Sequence, residues 1–403
     1  MDAILLGGLS LFVLKESSRN QLNNHRKDGW FSEHYRQRTG MKLPHGDTVK
    51  DVPVDLPAGE LEQVKMDLTS GMFNRKWLQD YRLPDKYYTI AIDATGVMSF
   101  EKPHCPHCLT RKSKSGKITY FHYVLEAKPV TFAGHAISLA SEWIENPGGE
   151  FDKQDCERKA FVRLAEKLKK QYPRLPVCIL ADGLYPYENA FKICEKNRWK
   201  FIFVLQDGSL KTVQEELTLT RIRKPAREWY TIKKGWRITD EYRFQTGIEY
   251  HEKYILNWIQ CIETRNKMNT GKPKTAKPPP EVSNFEYITN IEPDKDNVRA
   301  IAQGGRLRWK IENEGFNTEK HGDYELEHKY CRKSYNGLKN YYTLLQIAHA
   351  INQLIEKGKY ITDILKLRPK ETIRNLWNKL KHYMIFCSPF EVCHQTEIRL
   401  DSS

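Results

Sequence analysis

The chain has fewer acidic than basic residues, few and scattered cysteines, and no apolar run long enough to cross a bilayer. Its 51 Asp and Glu stand against 65 Lys and Arg, a formal +14. That excess favours a polyanionic partner through counterion release, or marks a generically basic protein, because net charge reports association rather than activity. Nine cysteines, at 105, 108, 156, 178, 194, 261, 331, 387 and 393, leave one unpaired and build no dense framework. This excludes a disulfide-stapled scaffold and fits a reducing, cytoplasmic compartment. The apolar stretch at residues 3–14 lacks a basic leader and a clear small-residue cleavage site, and it is too short to span a bilayer. It reads as a buried helix, so no membrane partner is expected. Apolar residues make up 39 %, low for a pure globule but above disordered composition, and 21 Tyr with 9 Trp offer large surfaces for packing or stacking. A length of 403 residues exceeds one core, so two or three units are expected.

Residues 1–85 read as helical, with Ile4, Leu5, Leu9, Phe12 and Leu14 at helical spacing and a second periodic run at 61–77. Arg19, Arg26, Lys27, Arg36 and Arg38 lie between, and Asp47 and Thr48 after Pro44 give an N-cap signal. This region is either a small basic DNA-binding domain or a helical lid. Residues 86–207 and 285–356 read as a mixed α/β core: strands at 88–93, 119–126, 129–144 (bent at Gly134), 177–181 and 201–205, and helices at 154–171 and 188–196. Residues 208–284 break that alternation, with 229–238, 242–250 and 254–263 as consecutive strands of an inserted β-subdomain and 266–280 as an exposed loop. A strand at 285–291, a helix at 294–320 broken around Gly304 and Gly305, and a clear helix at 338–355 follow. Residues 357–403 form a C-terminal helical tail whose end, 387–403, carries no usable periodicity.

Asp93 ends one apolar strand and Asp182 ends another. Two such carboxylates repel each other and lose solvation, which a divalent cation relieves, although an Asp in that place is also a common turn former. Arg308 and Glu312, four residues apart, share a helical face, as a simple salt-bridging pair also would. Taken in order, Ile90 to Gly96 around Asp93, Ile179 to Tyr185 around Asp182, and Ile288 to Asn290 followed by Arg308 to Glu312 resemble the three motifs of the DDE insertion-sequence transposases. The acids stand 89 and then 130 residues apart, leaving room for the β-subdomain that the family inserts between its second and third acids.

The resemblance covers residues 85–356. It implies a ribonuclease-H-like mixed sheet flanked by helices, with that β-rich insert and helical terminal regions. It makes Asp93, Asp182 and Glu312 the catalytic ligands of two Mg²⁺ (or Mn²⁺) ions, and Arg308 a phosphate-holding residue. It further implies hydrolysis and strand transfer at insertion-sequence ends. The partners would be double-stranded DNA, as the element's terminal inverted repeats and its target, and a second copy of the chain on DNA. Two positions depart from the family helix: Gly305 stands where Tyr is frequent, and Glu319 where Lys is frequent. Lys320, one position on, is rotated about 80° from Glu312 on an ideal helix. Glu314 is a fallback third acid.

Further constellations remain open between function and structure. Cys105 and Cys108 have CxxC spacing suited to half a Zn²⁺ site, with His104, His107 or His122 as possible completions, or they are reduced thiols in a turn. Residues 111–117 form a basic hairpin tip or a solvated loop. In the inserted region Arg227, Trp229, Lys233, Lys234, Trp236 and Arg237 place cations beside aromatic faces, as base stacking or core packing would, and Arg306, near Arg308, is a further candidate DNA-binding cation. Asp207 and Glu188 read as surface residues. The rival functions are a transposon-derived DNA-binding protein that does not cut, and a metal-dependent structure-specific nuclease that hydrolyses without strand transfer.

Overall fold

The computed structural model describes residues 1–16, 18–83, 86–145, 153–220, 222, 224–268, 279–332, 334–368 and 370–386; most of the expected 266–280 loop and the 387–403 tail lie outside these. The elements in chain order begin with helices α1 (Asp2–Val13), α2 (Arg19–Lys27), α3 (Gly29–Thr39), α4 (Gly46–Asp55) and α5 (Ala58–Asn74). Strands β1 (Tyr88–Phe100), β2 (Leu109–Lys112), β3 (Ile118–Pro129) and β4 (Ala140–Ile144) follow, then α6 (Lys153–Gln171), β5 (Val177–Ala181), α7 (Glu188–Asn197) and β6 (Lys200–Val204). After α8 (Lys211–Thr220) come β7 (Arg227–Lys233), β8 (Trp236–Tyr250), β9 (Tyr254–Lys267) and β10 (Glu281–Thr289). The last elements are α9 (Val298–Arg306), a π-helix (Ile311–Asn317), α10 (Thr318–His321), α11 (Tyr335–Glu356), α12 (Lys359–Leu367) and α13 (Ile373–Phe386). The chain is therefore mixed α/β, and no helix among the described residues is long and apolar enough to cross a membrane.

Two compact units divide it. The first holds Met1–Asp80, Ala94–Tyr172 and Lys310–Ser403, and the second Tyr81–Asp93 and Pro173–Trp309. In the first unit α11 is the central post, buried along most of its length from Gly337 to Leu354. The Ser334 side chain caps it by accepting from the Gly337 N–H, as Asp28 caps α3 through the Trp30 and Phe31 N–H groups. Leu11, Phe12, Leu22, Phe31, Tyr35 and Val49 of the N-terminal helices share one core with Tyr341, Leu344, Leu345 and Ala348 of α11. The N-terminal region is thus built into this unit through apolar burial rather than standing as a free basic module. Val97, Met98 and Val124 of β1 and β3 join the same core. β2 pairs with β3, and β4 pairs with β3 on the way to α6.

In the second unit, β1, β5 and β6 run parallel and β10, β9, β8 and β7 extend the sheet antiparallel in that order. β5 is buried at every position because a parallel strand is covered on both faces. Helix α9 lies on this sheet, and its two glycines explain how closely. A Cβ at Gly304 would stand 2.3 Å from Leu83, and one at Gly305 would stand 2.6 Å from the Tyr287 ring. The helix expected to break at these glycines therefore continues to Arg306, and the break falls at Leu307 and Arg308.

Other expectations shift. The strand expected at 129–144 is only Ala140–Ile144, preceded by an isolated bridge between Val130 and Ala136. The strand expected at 229–238 is instead two strands, joined by a tight turn in which Lys234 (φ 51°) and Gly235 (φ 79°) both take the left-handed region. Lys233 then pairs with Trp236, the geometry of a two-residue type I′ hairpin. Helix α8 lies inside the stretch read as strands alone.

Candidate active site

β1 and β5 pair in parallel with Tyr88 opposite Val177 and Ala91 opposite Leu180, and Asp93 and Asp182 each lie two residues beyond the last of these pairs. Ile90, Ile92, Ile179 and Ala181 just upstream are buried; Asp182 follows the last residue of β5, whereas Asp93, expected to end its strand, lies inside β1, which runs on to Phe100. Asp182 carries the turn-forming role as well, since its Oδ1 accepts from the Leu184 N–H at 2.9 Å. That bond holds the carboxylate at the strand end in one orientation.

A cation meets one of them. Arg308 Nη1 lies 3.6 Å from Asp93 Oδ2, with the two side chains 6 % and 19 % exposed, and the guanidinium also covers the Trp309 ring at 4.3 Å. The expected phosphate holder is therefore a buried cation that offsets part of the Asp93 charge. At 3.6 Å the pair is held by attraction rather than by a tight hydrogen bond, and a phosphate or a divalent ion can compete for either member.

Glu312 belongs to the first unit, half-buried on the π-helix. Glu314 on the same segment pairs with Lys310. Glu319, at the position where the family carries Lys, is fully buried. It ion-pairs with Lys128, accepts from Gln346 Nε2 at 2.9 Å and meets His349 Nδ1 at 2.9 Å. Burial alone would raise the Glu319 pKa, but Lys128 and His349 outweigh it and hold it down at about 2. Burial lowers the pKa of His349. Sequence reasoning did not single out Lys128, Gln346 or His349. The available signal was Lys128 within the mostly apolar run at residues 123–132, because a buried Lys requires a partner; Glu319 stands among polar neighbours and gave none.

Lys320 faces outward beside this network, with Nζ 2.9 Å from Glu327 Oε1. It lines a cleft of about 410 Å³ with Ala94, Thr95, Arg111 and Tyr123. The rotation expected between Glu312 and Lys320 assumed α-helical turns, whereas residues 311–317 wind as a π-helix. Each i→i+5 turn takes up about one extra residue, so eight steps rotate like roughly seven and leave Lys320 within roughly 20° of the Glu312 direction.

The remaining calls separate. Arg306 Nη1 contacts Glu263 Oε2 at 2.6 Å and the guanidinium lies over the Phe285 ring, an internal pair. β7 is exposed along its length after Arg227, with Trp229, Tyr230 and Ile232 at 40 %, 63 % and 59 %, so its aromatics are not core. Arg299 covers the Trp229 ring at 4.0 Å and Arg237 the Tyr230 ring at 5.2 Å. Lys233 and Lys234 are exposed at the hairpin tip, and Trp236 is half-buried. Glu188 pairs with Lys253 on the surface, and Asp207 is exposed. Cys105 and Cys108 converge on His122, which sequence reasoning had offered only as one of three histidines.

No family model matches the chain, and no curated protein matches it. Among solved structures, one similar chain is that of the piggyBac transposase synaptic complex with hairpin DNA. The identity is 11 % and the TM-score 0.35, over 78 % of this chain and 60 % of the other. The chain thus spans less than two thirds of the transposase it is compared with, and at that TM-score the likeness assigns neither fold nor function.

Proposed function

We propose that this chain is a metal-dependent DNA transposase of the DDE type, built on a ribonuclease-H-like core, with Asp93, Asp182 and Glu312 as its metal-binding acids. The observation that carries the reading is Asp93 inside β1, whose parallel pairing with β5 runs to Ala91 and Leu180, with Asp182 just past the end of β5 and Arg308 3.6 Å from Asp93. Carboxylate oxygens are the donors that Mg²⁺ and Mn²⁺ prefer, so the residues fit a hard divalent cation. When bound, such ions activate an oxygen nucleophile and stabilise the leaving oxygen in phosphodiester hydrolysis and strand transfer. The protein's own part is positional. Asp182 is fixed by its turn bond, Arg308 supplies a buried positive charge, and Lys320 and Arg111 give the cleft along β1 a basic lining for the DNA backbone. The partners on this reading are the element's terminal repeats and target DNA, with a second copy of the chain holding the other end.

The test is cutting of supercoiled plasmid carrying the DNA that flanks this gene, in Mg²⁺ or Mn²⁺, by wild type and by Asp93→Asn, Asp182→Asn and Glu312→Gln. Each variant is expected to lose at least about a hundredfold in rate, because several kcal/mol of charge stabilisation disappears. Cutting that survives all three removes the assignment. Binding without cutting by wild type supports the DNA-binding protein, and hydrolysis without joined products supports the nuclease.

A further inference from the structure

Three donor atoms in the first unit lie at the corners of a small triangle. Cys105 Sγ and Cys108 Sγ are 3.8 Å apart, and His122 Nε2 lies 3.5 Å and 3.7 Å from them. A tetrahedral zinc ion with Zn–S of about 2.3 Å and Zn–N of about 2.05 Å requires ligand separations of about 3.8 Å between sulfurs and about 3.6 Å from sulfur to nitrogen. All three edges agree with that geometry. A disulfide does not account for it, because both cysteines are free.

The surroundings are those of a metal knuckle rather than a chance contact. The backbone N–H groups of His107 and Cys108 donate to the Cys105 sulfur, and the Cys108 N–H closes a turn onto the Cys105 carbonyl. His122 comes from β3 and is 2 % exposed, with Nε2 the ring nitrogen that lies by both sulfurs. The Tyr335 and Phe100 rings pack against the imidazole and hold it in place. Among the described residues this is the one group of three or more potential metal ligands gathered within bonding reach of a common centre.

We propose that Cys105, Cys108 and His122 bind one zinc ion, with water or the neighbouring His104 or His107 at the fourth corner. The ion is structural. It ties the segment between β1 and β2 to β3, and so anchors the β2–β3 hairpin whose basic residues include Arg111, Lys112, Lys114 and Lys117. The same knuckle leans on α11, where the Tyr335 ring stacks on His107 at 4.5 Å and meets His122 at 4.7 Å. The donor set is thiolate and imidazole, so its preference is for zinc over the hard ions assigned to the carboxylates.

The experiment is the metal content of the purified full chain, by elemental analysis and native mass spectrometry, before and after incubation with zinc chloride under reducing conditions. Equimolar zinc in wild type is expected, falling to below about a tenth in Cys105→Ser and in His122→Ala, while Cys331→Ser keeps its full complement. Replacing zinc with cobalt is expected to give the ligand-field and charge-transfer bands of a tetrahedral thiolate site, a readout independent of DNA cutting. Wild type that takes up no zinc, that carries iron in its place, or that isolates with a Cys105–Cys108 disulfide overturns the proposal. So does zinc retained by Cys105→Ser. The wild-type measurement decides the matter even where a variant does not fold.

Discussion

Two clusters of charge in this molecule have opposite characters. Around Glu319 everything is closed: Lys128, Gln346 and His349 supply partners, and acid and lysine are fully buried. Around Asp93 and Asp182 the setting is more open: both acids are partly exposed, Arg308 stands 3.6 Å from Asp93, and the Leu184 N–H donates to Asp182. Saturating a buried acid makes a structural joint, because removal of any partner leaves an uncompensated charge. Acids that keep part of their surface in solvent remain reachable by a ligand.

The contrast breaks most visibly in stability. Lys128→Met leaves Glu319 buried without its cation and is expected to cost about 3–5 kcal/mol in urea unfolding. Asp93→Asn, which abolishes cutting on the reading above, is expected to change stability by no more than about 1 kcal/mol. Equal losses in the two variants would erase the distinction. A pH series sharpens it further. Glu319 has a folded pKa of about 2 against an ordinary 4.5, and His349 titrates below its ordinary 6.5. Both are depressed, so the unfolded chain binds more protons as the solution is acidified. Their contribution is full above pH 6.5 and is lost progressively towards pH 2, as thermal unfolding at stepped pH would record. A wild-type midpoint unchanged between pH 7 and pH 4 would contradict this. The smallest effect belongs to Arg306→Gln, expected below about 1 kcal/mol, because Arg306 is a third exposed and Glu263 keeps Arg265 at 2.8 Å.

Much of the α/β core was legible from periodicity. The continuous apolar run at Val177–Ala181, the amphipathic α6 and the long α11 appear where their patterns place them. What escaped has identifiable causes. A Lys-Gly pair carries a weaker turn signal than Asn-Gly, so the β7–β8 hairpin was read as one strand. Alternating aromatics gave no hint that β7 would be exposed, because an edge strand and a buried one share the same period. Helix α8 is short and weakly apolar within a strand-rich stretch. At the candidate site the Arg308–Asp93 pair joins two distant motifs, and Asp93, expected at a strand end, lies inside β1 because the strand runs on to Phe100. The Lys128–Glu319 pair joins residues 191 positions apart, a separation no local pattern reaches.

The π-helix at residues 311–317 has a consequence for anyone scanning genomes for proteins of this kind. Where the hydrogen-bond ladder widens, chain length and rotation stop being interchangeable, and an extra residue is absorbed without any loop to mark it. A motif written with fixed gaps then scores a true counterpart as a mismatch. On the reading proposed above, searches for relatives of this chain should let the gap after Glu312 stretch by one.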